Sequence, residues 1–599
     1  MLTKRGKIAK TASDIIAAAL LFVSAVSIII RLFFGVEITD ESFYVADTLA
    51  ALHGNTPYVL NNFFLGSGFV FLPLPLYFLF ERFVPSGEGI VLFSRICFVV
   101  FHFLCIFLTA RIIKKHFSFR GALLFAACML PCINLAIINF NYNTIPLDML
   151  CLTQAIVFDS LEGENTHSRI SLFLAGILSA LSVFSNPAYV CAILISIVLI
   201  SLRSPADKRL TNVLFYLAGG LLTVAAVLIP IAVRYGSSML AEGFVSLLTE
   251  KFPRESGSKL SFYQKIDVLI DTARPIALLY VLSALAELIC SAFVYKKTGK
   301  KTDHTTRIAA WIALGSLSNI LRTLFLGLDY IHLYELGIAA FFCLTLILFS
   351  GRIRDYRFAL YLCIYPLFFS ILEYFVTTTG LTFRFGACLP ALFCLLMLAN
   401  ERGGKSTKTL AVLSMVLCIL FQVFILYHQP YREEAIQKLD TRVESGAYKG
   451  LLTTKDKADE IVMLEEYLNT LVGEDDYYAF RDCFPGGYLM VHSGKMCDIT
   501  SWDVLKYSYG LNTPAKLFDY YRRRGAVPDV IVYVNFDRDP ILSIEDDRIR
   551  YNDFIHKYYD LEDERSFGKL FNHVMVFRYQ GDFDGNYAAW INKYNFLPD

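Results

Sequence analysis

The sequence predicts a mainly α protein: a polytopic transmembrane helix bundle of about thirteen spans, followed by a C-terminal extracytoplasmic α/β domain. Three observations carry that prediction. The 599 residues are 55% hydrophobic and only 18% charged, with a mean hydropathy of +0.50, which is too apolar for a soluble chain of this length. Apolar runs of spanning length recur from the N-terminus to residue 427, with basic clusters between them. From His428 onward the composition becomes that of a soluble domain of about 170 residues, enough to bury its own core.

The first run, Ile15 to Phe34, follows Lys4, Arg5 and Lys7 and is long enough to cross a hydrocarbon layer of about 30 Å at about 1.5 Å per residue. No small-x-small cleavage site follows it, so it reads as an anchor. Further runs lie at 91 to 113, 121 to 139, 144 to 159, 170 to 185, 187 to 202, 211 to 234, 275 to 295, 307 to 326, 334 to 350, 358 to 378, 382 to 399 and 409 to 427. Basic clusters at Arg111 to Arg120, Arg203 to Arg209, Lys296 to Arg307, Arg352 to Arg357 and Arg402 to Lys408 all fall on one side if these runs alternate. The positive-inside rule makes that side the cytoplasm.

Residues 67 to 83, with Pro73 and Pro75, are apolar over too short a stretch to span and suit an interfacial helix. Counting them as a span would put all five basic clusters outside. The expectation is a multi-pass protein of the cytoplasmic membrane, N-terminus inside, with a membrane domain at 1–427 and an outer domain at 428–599. Its first outer loop, 35–90, holds interfacial helices. A second outer loop is expected at 235 to 274, and a turn at Asn139 to Asn143.

In the C-terminal part, Lys455 to Leu471 has helical periodicity through Ile461, Leu464 and Leu468, while Asp529 to Val534 and Leu570 to Tyr579 read as strands. Pro485-Gly486-Gly487 and Thr513-Pro514 mark turns. Twelve of the 14 cysteines lie in apolar runs, where cysteine packs as a small hydrophobe. Only Cys483 and Cys497 lie in the polar part, and spacing does not fix whether they pair.

A formal net charge of +1 argues against nucleic acid as a partner, because there is no basic excess to release counterions from phosphates. The sequence holds no zinc-spaced His/Cys set, no glycine-rich phosphate loop and no nucleophilic Ser or Cys motif. Lipids and sugars remain as partner classes.

Two adjacent carboxylates, Asp40 and Glu41, stand just beyond the first run. One reading is a helix start, with Thr39 or Asp40 as cap and Glu41 in the first turn. The other is chemistry. A carboxylate in a partly apolar cavity can take a proton from a hydroxyl, orient that hydroxyl, or hold a divalent cation (Mg or Mn) against a phosphate.

The stretch Thr39-Asp40-Glu41-Ser42-Phe43-Tyr44-Val45-Ala46-Asp47, followed by His53-Gly54-Asn55-Thr56-Pro57-Tyr58 and Pro73-Leu74-Pro75-Leu76-Tyr77, resembles the GT-C superfamily of membrane glycosyltransferases. Families 39 and 83, with the protein O-mannosyltransferases and the lipid A aminoarabinose transferase, are similar in pattern. The resemblance covers the layout of most of residues 10 to 427 through short motifs. It implies a bacterial cell-envelope enzyme that moves a sugar, with inversion, from a polyprenyl-phosphate-linked donor to an extracytoplasmic glycan, lipid or protein. Asp40 would stand in the position of the family's catalytic acidic residue, with Glu41 assisting.

The family pattern includes a second acidic residue in the next outer loop. Here Asp148 is the carboxylate available, about a turn into the following helix, and Asn141 and Asn143 offer contacts to sugar hydroxyls or phosphate. Arg384, in Thr382-Phe383-Arg384-Phe385-Gly386-Ala387-Cys388-Leu389-Pro390, resembles the Arg-Tyr/Phe-x-x-x-x-Pro pattern of these families. A bidentate guanidinium suits the donor phosphate. Lys251, Arg254, Arg274 and His332 are further donor-side candidates on outer segments. Each has a plain structural counterpart: a helix-helix hydrogen bond for Asp148, snorkelling for Arg384, a solvated loop for the other cations. Glu287, inside a predicted span, suits a pairing with a basic group across the bundle. The alternative function is a membrane transporter or lipid flippase with an accessory outer domain. Such folds tend to carry inverted repeats, and none is evident here.

Overall fold

The computed structural model describes residues 4–60, 65–162, 168–249, 262–327, 330–349, 351, 353–376, 385–428, 430–481, 484–497, 513–535 and 550–593. Apolar runs become helices, as their propensity and their need to satisfy backbone groups internally demand, and those at 211 to 234 and 358 to 378 stay helical across Pro230 and Pro366. In chain order these are α1 (Lys4–Arg31), α2 (Asp40–Leu52), α3 (Leu74–Phe83), α4 (Ile90–His116), α5 (Phe119–Met129), α6 (Thr144–Glu162), α7 (Ser168–Ser185) and α8 (Val190–Arg203). Then follow α9 (Arg209–Tyr235), α10 (Ser237–Thr249), α11 (Phe262–Thr298), α12 (His304–Leu326), α13 (Tyr330–Phe349), α14 (Arg357–Val376), α15 (Leu389–Arg402) and α16 (Lys405–His428).

Each of the thirteen predicted runs holds one of these helices, and eight helices (α1, α4, α6, α7, α9, α11, α12 and α16) are by themselves long and apolar enough to cross a membrane. Large apolar side chains such as Phe107, Leu221, Val233 and Phe325 point outward and are exposed, as a lipid-facing surface requires. Helix α6 runs through the middle, buried from Thr144 to Ala155. Close crossings rest on small residues: a Cβ on Gly176 of α7 would lie 1.9 Å from the Tyr216 carbonyl oxygen of α9, and one on Gly219 would lie 2.0 Å from that of Phe173. Glu287 pairs across the bundle with Arg307, at 2.9 Å.

Two predicted stretches differ. The run at 121 to 139 is helical only to Met129, because Pro131 stops it. Residues 130 to 143 continue as irregular chain with a short 3-10 turn at Asn134–Ala136. Most of that chain is buried, the setting in which irregular backbone is tolerated within a membrane bundle. The expected loop at 235 to 274 is largely helical among the described residues: α10 fills its start, and α11 begins at Phe262 and carries Pro275 in its interior. Its first turns hold Gln264, Lys265, Asp267 and Asp271, so an apolar window does not detect them although they continue the same helix. Residues 65 to 83 form a 3-10 turn (Leu65–Phe71) and α3. Ten residues in α3 reach about 15 Å, half of what a span needs.

After α16 the chain becomes α/β. Strands β1 (Thr441–Arg442) and β2 (Leu452–Thr453) pair antiparallel. Helix α17 (Lys455–Leu471) matches its predicted periodicity. Strands β3 (Tyr477–Arg481), β4 (Lys495–Met496), β5 (Val530–Asn535), β6 (Tyr559–Arg565) and β7 (His573–Tyr579) form one mixed sheet in the order β4-β3-β5-β7-β6. β4, β3 and β5 are parallel, and β7 joins antiparallel. Thr513-Pro514, expected as a turn, instead starts a helix, Thr513–Arg524, consistent with proline's preference for the first helical turn. Cys483 lies outside the described residues, and Cys497 is buried.

The α/β region is docked onto the segment joining α1 to α2. Leu452 exchanges backbone bonds with Phe33 and Gly35 (2.7 and 2.8 Å), and Gly486 N–H donates to the Ile38 carbonyl at 2.9 Å. Glu433 accepts from the Val36 N–H at 2.9 Å, and the Ser42 and Tyr448 hydroxyls lie 2.6 Å apart. Every residue from Gly35 to Ser42 is buried as a result.

Candidate functional site

Helix α2 begins at Asp40, and its first-turn N–H groups need acceptors. Thr39 provides no side-chain cap. The Glu37 carboxylate does the work: Oε1 accepts from the Thr39 N–H (2.9 Å) and the Thr39 hydroxyl, and Oε2 accepts from the Glu41 N–H (2.6 Å). Burial first, then the neighbouring Asp40 charge, push the Glu37 carboxyl up to about 7, against Arg432 and these hydrogen bonds.

Successive residues on a helix are turned by about 100°, so Asp40 and Glu41 meet different surroundings. Glu41 faces α4 and forms a bidentate pair with Arg95, Nε to Oε1 at 2.7 Å and Nη2 to Oε2 at 2.5 Å. Both side chains are 3% exposed. Arg95 also donates to the carbonyls of Leu32 (2.8 Å), Phe34 (3.2 Å) and Gly35 (2.7 Å), which uses all five guanidinium N–H groups. Asn139 Nδ2 adds a contact to Glu41 Oε1 at 3.2 Å. The arrangement ties the end of α1 to the start of α2.

Asp40 faces the connector that follows α16. The Tyr431 hydroxyl donates to its Oδ2, and Arg432 Nη2 lies 3.7 Å from the same oxygen, with the arginine side chain 44% exposed. Arg432 Nη1 donates to the Thr39 hydroxyl oxygen. Arg432 adopts a left-handed φ of +53°, a conformation that costs a non-glycine residue about 1 kcal/mol or more. Glu433 anchors this connector: burial alone would raise its carboxyl, but Lys457 at 2.7 Å, the Val36 N–H and the Thr453 hydroxyl outweigh that and hold it below the usual range.

Beside these groups lies a small pocket lined by Arg31, Gly35, Glu37, Glu41, Arg95, Ala136, Ile137, Ile138 and Tyr431, with room for about one water molecule. Its wall at 136 to 138 is the irregular chain after α5. Arg31 spends one N–H on the Leu426 carbonyl at 2.9 Å and another on that of Phe34. Asp40 meets the pocket through the Tyr431 hydroxyl.

The other predicted residues lie apart from this cluster or outside the described residues. Asp148 is buried inside the bundle with its Oδ2 2.6 Å from His102 Nδ1. Because His102 Nε2 lies 2.9 Å from the Leu130 carbonyl, which can only accept, Nε2 carries a proton. The pair thereby pins the point where α5 stops. Asn141 caps α6: its Oδ1 accepts from the N–H groups of Asn143 and Thr144 (2.9 and 2.8 Å). Arg274 is exposed on α11, with Asp271 at 3.7 Å. His332 lies 3.6 Å from Glu335, which also binds Arg322 at 2.8 Å.

Lys251, Arg254 and Arg384 lie outside the described residues. The turn just after Arg384 packs close to the site's back wall. A Cβ on Gly337 would meet the Phe385 carbonyl oxygen at 1.8 Å and one on Gly386 would meet the Tyr334 ring, while the Tyr334 hydroxyl accepts from the Leu135 N–H at 2.6 Å.

Sequence reasoning missed Arg95, Asn139, Tyr431 and Arg432. Arg95 had a signal, since an arginine inside an apolar run demands a partner. Tyr431 and Arg432 had none, being ordinary residues of a loop. A divalent cation does not fit the described side chains as they stand. The Glu37 and Glu41 oxygens are spent on N–H groups and a guanidinium, and among the described residues no group of three His, Cys, Asp or Glu is set to hold a metal.

No protein-family model and no curated protein matches the chain. Among solved structures it is similar, over 96% of its length and 98% of the other chain, to ArnT from Cupriavidus metallidurans in the apo state, at 11% identity and a TM-score of 0.45. Over 86% of its length and 69% of the other chain, it is similar to an Archaeoglobus fulgidus oligosaccharyltransferase tethered with an acceptor peptide, at 13% identity and a TM-score of 0.41. With the same coverages it is similar to AglB from that organism in complex with an inhibitory peptide and a dolichol-phosphate, at 12% identity and a TM-score of 0.40.

Proposed function

We propose that the chain is a membrane glycosyltransferase that moves a sugar from a polyprenyl-phosphate-linked donor to an acceptor hydroxyl or amine, with inversion. The observation that carries the reading is Asp40. It is a buried carboxylate at the start of α2, 5% exposed, joined by the hydroxyl of Tyr431 to a pocket that Arg31 also lines, and approached by the Arg432 guanidinium. The resemblance of Thr39 to Asp47 to the GT-C pattern supports the same assignment.

In this reading the acceptor attacks the anomeric carbon, the bond from that carbon to the phosphate oxygen breaks, and Asp40 takes the acceptor proton. Polyprenyl phosphate leaves with the bonding electron pair. Arg31 and Arg432, with Arg384 as the family pattern implies, offset the charge that develops on the phosphate. Glu41 holds the site together through Arg95 rather than touching substrate. Entry of a sugar requires the wall formed by Ala136 to Ile138 and Tyr431 to move, since the pocket has room for about one water. The site is assigned to the outer face of the cytoplasmic membrane on the positive-inside count.

The test is incubation of purified protein with labelled polyprenyl-phosphate sugars and a mixed acceptor extract. Release of free polyprenyl phosphate together with labelled acceptor supports the reading. Movement of intact labelled lipid between leaflets of proteoliposomes, without cleavage, supports a flippase instead.

A further inference from the structure

Glu37 has no part in the transfer step just described, yet the residues on both sides of Asp40 hang from its carboxylate. It takes the N–H and hydroxyl of Thr39 on one oxygen and the N–H of Glu41 on the other. The Thr39 hydroxyl gives its proton to Glu37, and its oxygen accepts from Arg432 Nη1. The other amino group of the same guanidinium stands 3.7 Å from Asp40 Oδ2. A continuous chain of contacts therefore runs from Glu37 through Thr39 and Arg432 to Asp40, and Glu37 itself lines the pocket.

The charged and titratable groups around Glu37 come from five elements. Asp40, Glu41 and Tyr44 belong to α2, Arg31 to α1 and Arg95 to α4, and Tyr431, Arg432 and Glu433 to the connector. Tyr448, between β1 and β2, is the last, and it also meets Ser42. A carboxylate can accept all three donors at once. A carboxylic acid turns one oxygen into a donor, which then opposes either the Glu41 N–H or the Thr39 hydroxyl. If the Thr39 hydroxyl turns away, Arg432 loses the contact that fixes it beside Asp40.

We propose that Glu37 is a positioning residue for Asp40: ionised, it orients the Thr39 hydroxyl and through it the Arg432 guanidinium against the Asp40 carboxylate. This rests on the proposed role of Asp40 in transfer. Because burial and the Asp40 charge push the Glu37 carboxyl up to about 7, the switch between its two forms falls in the neutral range.

Three variants decide it: Glu37→Gln, a neutral isostere, and Thr39→Val and Thr39→Ser, which remove and keep the hydroxyl. Wild-type transfer is expected to rise about tenfold between about pH 6 and 8. Glu37→Gln and Thr39→Val lose that limb and turn over at least about tenfold more slowly at the upper pH, with KM for the donor little changed, while Thr39→Ser retains the limb. A limb that persists at the same pH in both Glu37→Gln and Thr39→Val overturns the proposal.

If wild-type protein transfers no sugar at all, the functional reading fails and Glu37 is read from unfolding instead. A folded carboxyl raised above its unfolded value binds extra protons, so its stabilisation is complete below the unfolded value and is lost as pH rises through the folded one. Wild type should therefore lose thermal stability between about pH 5 and 8 and Glu37→Gln should lose less. Superimposable pH curves overturn the proposal here too. Should Glu37→Gln fail to fold, Thr39→Val carries the transfer comparison, and its loss of the limb or its retention decides the proposal.

Discussion

Replacing Arg95 by methionine tests the division of labour between the two adjacent carboxylates. The substitution keeps most of the side-chain volume inside α4 but removes the guanidinium. Glu41 is then left 3% exposed, with the Asn139 amide at 3.2 Å as its remaining side-chain hydrogen bond and Arg31, committed to backbone carbonyls, as the cation left in the pocket. Breaking a buried pair by deleting one partner costs about 3 to 5 kcal/mol, most of it from the stranded charge. The carbonyls of Leu32 and Gly35 lose a donor as well, at about 1 kcal/mol each, so a total of about 5 to 7 kcal/mol is expected. Glu41→Gln should cost less, about 2 kcal/mol, because it strands no anion. The double variant Arg95→Met/Glu41→Leu should recover at least about 2 kcal/mol of the Arg95→Met loss, since neither charge is then buried alone. The assay is thermal unfolding of detergent-purified protein followed by the fraction that stays monodisperse. An Arg95→Met protein as stable as wild type would show that the Arg95–Glu41 pair does not hold α1 to α2. A Glu41→Gln protein of full stability with no transfer activity moves the chemistry from Asp40 to Glu41.

Two further outcomes follow from the packing. His102→Leu should destabilise the bundle by about 3 kcal/mol or more by leaving Asp148 buried without its imidazole, and His102→Leu/Asp148→Leu should restore most of it; a double variant no better than the single contradicts the pair's structural role. Gly176→Leu should prevent assembly of α7 on α9, because even a Cβ at that position would stand 1.9 Å from the Tyr216 carbonyl oxygen. Recovery of that variant as folded, monodisperse protein in wild-type yield contradicts the crossing.

The helical runs were readable because a span writes itself locally, as a window of apolar residues bounded by charge. The end of α5 was written locally too, in Pro131, but the apolar residues that follow it mask the break. The first turns of α11 were obscured for the opposite reason, since Asp267 and Asp271 lower the hydropathy of a helix that continues regardless. At the site, the helix start at Asp40 was legible from Thr39-Asp40-Glu41 alone. What decides the fate of each carboxylate was not. Glu41 is claimed by Arg95, 54 residues away, and Asp40 by Tyr431, 391 residues away, and no local pattern encodes pairings at that range. Glu37 was overlooked because its role depends on burial, and burial of a polar loop residue arises only once the α/β region docks over residues 33 to 42.

In the proposed reaction Asp40 accepts a proton as the sugar leaves its lipid phosphate. The most direct test of this step is the rate of polyprenyl phosphate release by Asp40→Asn beside wild type, with both proteins matched in thermal stability. Asp40→Asn is expected to fold and to release polyprenyl phosphate about a thousandfold or more slowly than wild type. Release at the wild-type rate from a folded Asp40→Asn protein would contradict that step.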